Sequence, residues 1–169
     1  MRQHFAKYRG QGAAVPPIPN RHFIFWSWLG ACVAIAAIAW LSSTAGAPFF
    51  MAPFGASCVL IFGLPNSPLA QPRNLVLGHL IATVVGLVIM ELLGVDWWSM
   101  GIAVASAIAL MQMTRTLHAP AGATPLVVML EKADWSFIFT PVLSGTLVLL
   151  VVGLVANNLS RERSYPEYW

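Results

Sequence analysis

Ala52-Pro53-Phe54-Gly55-Ala56-Ser57 and Ala119-Pro120-Ala121-Gly122-Ala123-Thr124 share the pattern A-P-x-G-A-[S/T] at an offset of 67 residues. Each lies in an apolar stretch broken by proline and glycine, 47–66 and 115–133. Neither stretch can be one straight helix. Pro53 and Pro120 remove a backbone donor and push the preceding residue out of helical geometry. A short helix of two or three turns is expected to start near Gly55 and near Gly122. Broken backbone at membrane depth is tolerated only where protein buries it or it lines a cavity.

The rest of the chain says that membrane depth is the right frame. Of 169 residues, 58% are hydrophobic and 9% are charged, with a mean hydropathy of +0.73. A soluble domain carries about 25% charged residues. So few charges cannot cover a water-exposed surface, and lipid must be the solvent for much of it. The net charge of +3 comes mainly from Arg and Lys at the two ends, which reads as membrane topology rather than a nucleic-acid patch. Cys32 and Cys58 sit in apolar runs and read as small buried hydrophobes, with no disulfide framework or metal knot. No nucleophile–base pair, paired carboxylates or metal cluster is visible, so the chain does not read as an enzyme and implies no cofactor.

Four apolar runs are long enough to span: 23–43, 75–94, 97–114 and 136–157, each near the roughly 20 residues a helix needs to cross the hydrocarbon. Residues 1–22 read as a cytoplasmic N-terminal tail, 23–157 as the membrane domain and 158–169 as a cytoplasmic C-terminal tail. The basic start and Ala45-Gly46-Ala47 mimic a cleavable signal, but the basic region is long and proline-rich, and the first span is expected to be retained.

The offset of 67 holds without a gap beyond the motif. It pairs Gly78 with Gly145, Gly86 with Gly153, and Val84-Val85 and Leu87 with Val151-Val152 and Leu154. The first spans need a gap of about two residues. The fold expected is therefore all-α, with two repeats, 23–94 and 97–157, each a transmembrane helix, a broken segment with a short half-helix, and a second transmembrane helix. If the broken segments cross, there are six crossings, and eight of the nine Lys and Arg residues fall on one side. If they are re-entrant, four crossings remain and only six basic residues share a side. The positive-inside rule prefers six, with both termini cytoplasmic. Three crossings per half gives the halves opposite topology, as in many secondary transporters.

That geometry aims two half-helix N-termini at the midplane, where their partial positive charge and unpaired N–H groups suit an anion. Gly55, Ala56 and Ser57 with Gly122, Ala123 and Thr124 are the candidate binding residues. The hydroxyls add donors, and the glycines permit close approach of backbone to a ligand. The rival is a pair of packing kinks in a structural or regulatory module without a conducted substrate. On that rival, enlarging Gly55 or Gly122 costs stability.

Further along, Pro53–Ser57, Phe62-Gly63-Leu64-Pro65, Ser67-Pro68-Leu69-Ala70-Gln71-Pro72-Arg73-Asn74, Gly78-His79 and His118-Ala119-Pro120-Ala121-Gly122-Ala123-Thr124 resemble the HPP family of integral membrane proteins. The resemblance covers about residues 23–157. Ala119 departs from the His-Pro-Pro motif that names the family. The resemblance implies transport of nitrite, as attributed to plastid and cyanobacterial members, in a fold usually described with four membrane helices.

Polar residues within this frame complete the candidate site. His118 and His79 could donate to an anion or relay a proton; a helix-terminal cap and a packing histidine bonded to a carbonyl are their rivals. Arg73, with Asn74, could guard the cytoplasmic mouth, or anchor it. Glu91, Asp96, Glu131 and Asp134 read as solvated loop charges. The expected substrate is a small monovalent anion, nitrite or nitrate. The expected setting is the lipid bilayer, as a bacterial inner-membrane protein, in a homodimer or other homo-oligomer.

Overall fold

The computed structural model describes residues 14–46 and 49–169, and it is helical with no strand among them. Much of the expected N-terminal tail, residues 1–13, lies outside the described residues.

Four long rods form where the apolar runs predict them. Helix α1 spans Arg21–Ala45. Asn20 starts it, its side chain accepting from the Phe23 N–H at 2.7 Å, and Gly46 ends it at φ 62, a left-handed position that suits glycine. Helix α3 spans Pro72–Leu93, with Pro72 in the first turn, where a missing N–H costs nothing. Helix α4 spans Trp97–Met113 and opens on a reciprocal cap between Asp96 and Ser99. Helix α6 spans Ser144–Leu159 and follows shorter turns over Trp135–Leu143 that are interrupted at Thr140, whose backbone is extended at φ -138, ψ 116. Three rods are long and apolar enough to cross a membrane: Arg21–Ala45, Pro72–Leu93 and Trp135–Leu159.

The broken segments form two shorter rods. Helix α2 spans Pro53–Cys58 and runs on through a wider turn to Gly63. Helix α5 spans Thr124–Leu130 and follows a tight 3-10 turn over Ala119–Ala123. The first helix therefore starts two residues before Gly55, because proline is preorganised for a first turn. The second becomes regular only at Thr124, past Gly122.

Cross-links show how each segment runs. Ser27, near the start of α1, donates to the Phe62 carbonyl at 2.7 Å. The first segment leaves α1 at Gly46 and so finishes beside the helix's beginning. Arg73 at the start of α3 donates to the Thr114 carbonyl just after α4, and Trp135 donates to Glu91 near the end of α3 at 2.7 Å. Both segments thus run along the length of the bundle among the described residues.

In the bundle, α1 packs on α6 and α3 on α4, with α2 and α5 between them. The main core gathers Ala34, Ile38, Phe54, Ile61, Phe62 and Leu149. Trp28, Trp40, Leu92 and Val151 point outward, as lipid-facing side chains do. Cys58 is buried as expected, but Cys32 is exposed on the outer face of α1.

The C-terminal tail is fastened rather than free. Arg163 is buried and donates to the carbonyls of Phe62 and Phe23, to Asn157 Oδ1 and to Ser27 Oγ, with its guanidinium over the Phe23 ring. Tyr165 donates to the Ala70 carbonyl and Tyr168 to that of Pro68.

Candidate functional site

Helix α2 has a buried and an exposed face. Pro53, Phe54, Ser57 and Cys58 point inward, while Ala52, Gly55, Ala56 and Val59 point outward. This is the helical period at work: positions three and four apart share a face. Ser57 is thereby aimed at α3, where it meets His79, and at the strand of backbone that carries His118.

Four side chains close on one another, all fully buried: Ser57, His79, His118 and Thr124. Ser57 Oγ lies 3.0 Å from His79 Nε2 and 2.9 Å from His118 Nε2. His79 Nδ1 lies 2.9 Å from Thr124 Oγ1, and His118 Nδ1 lies 2.7 Å from the Leu69 carbonyl. The rings of His79 and His118 meet edge-on at 5.1 Å, and Phe54 closes the other side of His79 at 5.5 Å. Gly78 makes this approach possible. A Cβ there would sit 2.8 Å from His118 Cβ and 3.0 Å from the Thr116 carbonyl.

The hydrogens follow from the one partner that can only accept. The Leu69 carbonyl requires a hydrogen on His118 Nδ1, so in the neutral ring Nε2 is an acceptor. Ser57 then donates to His118 Nε2 and accepts from His79 Nε2–H. That leaves His79 Nδ1 to accept from the Thr124 hydroxyl. The result is a one-way chain, Thr124 to His79 to Ser57 to His118 to Leu69, in which every hydrogen and every ring nitrogen is used.

The sequence candidates divide cleanly. Ser57, Thr124, His79 and His118 come together. Asn74 is buried one layer out, donating at 2.9 Å to the Leu117 carbonyl and so holding the backbone that presents His118. Arg73 is exposed at the rim. Gly55, Ala56 and Ala123 are exposed on the far side and Gly122 is half-buried. A Cβ at Gly55 or Gly122 would meet no atom within 4 Å, so the close approach expected at those glycines is not present here. Ala56 and Ala123 instead line an open groove of about 680 Å³ with Pro53, Val59, Pro120 and Leu126, all apolar. His118 is not a side-chain cap, and His79 bonds two hydroxyls rather than a carbonyl through its ring.

The Leu69 carbonyl and the tail that steadies its turn were not among the sequence candidates. A backbone acceptor carries no residue signature, although the long Ser67–Asn74 run pointed to the right loop. All six acidic residues are exposed, and among the described residues no group of three His, Cys, Asp or Glu is arranged to hold a metal.

Apolar rods around a sealed polar chain define an integral membrane protein. The sequence matches the HPP transmembrane region over residues 16–166, and the chain belongs to that family, as its motifs suggested. It is 43% identical over 180 residues to a transmembrane protein of Dictyostelium discoideum, covering 99% of this chain and 63% of that one. A second transmembrane protein from the same organism is 40% identical over 179 residues, covering 99% and 57%. The chain thus spans about three fifths of the length of these curated relatives. No solved structure matches it.

Proposed function

We propose that this protein moves a small monovalent anion, nitrite or nitrate, across the membrane by way of the Ser57–His79–His118–Thr124 cluster. The observation that carries this is the cluster's chemistry. It holds hydroxyls and imidazoles and no carboxylate. Such a set carries its hydrogens on N–H and O–H groups, bonded to one another while the cluster is neutral, and can become positive but never negative. A cation site at this depth would need acidic groups or converging carbonyls, and every acidic residue lies on the surface.

The inverted-repeat reading of the halves has support from packing. Gly78 lies against the Thr116 carbonyl, and Gly145 lies against that of Phe49. Gly86 lies against Val128, and Gly153 against Ile61. Subtracting 67 from 116 and 128 gives 49 and 61, so each contact has a counterpart with the halves exchanged. The packing of α1 on α6 and of α4 on α3 exchanges in the same way. This is the relation expected of a pseudo-two-fold axis through the two broken segments. Of the basic residues, Arg73 and Arg115 lie at the end of the bundle where α1 begins, and Lys132 lies at the other, a distribution that under the positive-inside rule supports cytoplasmic termini. The apolar groove between α2 and α5 is the face we assign to a second copy in a homo-oligomer.

The rival is a structural membrane module that uses the same satisfied chain as core, and the completeness of the hydrogen bonding favours it. Purified protein in liposomes distinguishes the two, with nitrite, nitrate, formate, chloride and sulfate offered in turn. Selective uptake of nitrite or nitrate is the expected result. Well-folded protein that carries none of them would refute the transport reading.

A further inference from the structure

Among the described residues, the buried chain has no donor to spare. Its four hydrogens, on Thr124 Oγ1, His79 Nε2, Ser57 Oγ and His118 Nδ1, are all given to partners inside the cluster or to Leu69. An anion arriving at the neutral chain must take a hydrogen already in use. If it takes the Ser57 hydroxyl, His118 Nε2 is left buried without a partner, at a cost comparable to what the new bond returns.

One added proton removes that conflict, and Ser57 is the point at which the geometry allows it. A proton on His118 Nε2 turns that nitrogen into a donor toward Ser57 Oγ at the same 2.9 Å. Ser57 Oγ has two lone pairs and can accept from His79 Nε2–H and from His118 Nε2–H together. Its own hydrogen is then free. A second acceptor already stands in reach, the Pro53 carbonyl at 3.3 Å from Ser57 Oγ. Without an anion the hydroxyl can turn there, and with one it becomes a donor to the anion. No bond at His79, Thr124 or Leu69 has to break.

Building on the anion reading above, we propose that the cluster loads one proton with each anion, the proton at His118 Nε2 and the anion at the hydroxyl hydrogen released by Ser57. The two charges cancel, so the loaded site buries no net charge. The proton comes from hydronium on one side, leaving water, and returns to water on the other. Each cycle then moves one proton and one anion and no net charge. Nothing else nearby competes for the proton. The titratable side chains on α3 and the elements packed against it are His79 itself, Arg73 and Glu91 at the two exposed ends of α3, Cys58 on α2, exposed Arg115 in the loop that carries His118, Tyr165, whose hydroxyl reaches Ala70, and exposed Tyr168, whose hydroxyl reaches Pro68 and Asn74. The helical segments Trp97–Met113, Ala119–Leu130 and Ser144–Leu159 carry none.

The test uses liposomes containing the full-length protein, a pH-sensitive dye inside, and potassium with valinomycin to set the membrane potential. Nitrate is the probe, because its conjugate acid is too strong for neutral acid to leak across lipid. If the protein carries nitrite alone, nitrite at alkaline pH takes its place. An inward anion gradient is expected to acidify the lumen, one proton per anion, at a rate indifferent to the imposed potential. Anion uptake that follows the potential and leaves lumen pH unchanged would overturn the coupling and leave anion transport standing. Absence of any anion flux would overturn both. His118→Gln keeps a polar group near Nε2 but cannot hold the proton, and loss of acidification is expected. The wild-type stoichiometry decides the matter whether or not that variant folds.

Discussion

Ser57 Oγ and His118 Nε2 lie 2.9 Å apart although 61 residues separate them in the chain. With the contact to His79, this makes one hydroxyl the joint between α2, α3 and the second broken segment. Ser57→Ala strips partners from two buried ring nitrogens, whereas Thr124→Val strips one. Each orphaned group costs about 1–3 kcal/mol. Thermal melts in detergent should therefore place Ser57→Ala below Thr124→Val, and both below wild type. Equal midpoints for all three proteins would mean that the chain is not formed in the folded protein.

The direction of the chain fixes the tautomers. Nitrogen-15 spectra of histidine-labelled protein should find His118 carrying its hydrogen on Nδ1 and His79 carrying its own on Nε2. The opposite tautomer at His118 would leave the Leu69 carbonyl without its donor, and the whole assignment would reverse.

Glycine substitutions should split into two groups. At Gly78, Gly86 and Gly153 a methyl meets atoms at 2.8–2.9 Å, and overpacking of that kind costs about 1–3 kcal/mol. At Gly55 the methyl enters open space on a helix, where alanine is favoured by up to about 1 kcal/mol. Melting midpoints should fall for the first group and hold or rise for Gly55→Ala. Gly55 lies outside the α2–α5 groove assigned to a second copy, so a drop at Gly55 comparable to that at Gly78 would show that the second copy reaches past the groove onto Gly55.

Arg163 fastens the tail to Phe23, Ser27, Phe62 and Asn157. Arg163→Ala leaves several buried acceptors unpaired and should cost about 2–3 kcal/mol, while Lys, lacking the planar fork, should recover less than half of that. Limited proteolysis reads this directly: the segment after Leu159 should become cleavable in the alanine variant at protease levels that spare wild type.

Much of this was legible in the sequence. Helices α1, α3 and α4 stand within three residues of their expected ends, because runs of some twenty apolar residues favour a helix, whereas the last run breaks at Thr140, before Pro141, and becomes regular α-helix only at Ser144. Ser57 and Thr124 were legible as hydroxyl donors of the repeated motif, and His79 and His118 as ionisable groups within the membrane domain. Their mutual bonding was not, since the contacts link residues 22, 45 and 61 positions apart. Gly55, Ala56, Gly122 and Ala123 were grouped with them because a motif is contiguous, whereas a helix sorts contiguous residues onto opposite faces. The C-terminal tail was read only as a cytoplasmic segment, with no contacts expected of it. Its hold depends on Arg163, Tyr165 and Tyr168 reaching backbone carbonyls, and those carbonyls have no signature in sequence.

The central claim is that anions pass by way of the four-membered cluster. It is tested most directly by comparing nitrite and nitrate uptake into liposomes for wild type, a Ser57→Ala/Thr124→Ala double variant, and Cys32→Ser on the exposed face of α1 as a control, each checked for a single sharp melt and monodispersity. The account predicts uptake by wild type and the control and none by the folded double variant. Equal uptake by all three would contradict it, and would move the pathway away from Ser57 and Thr124.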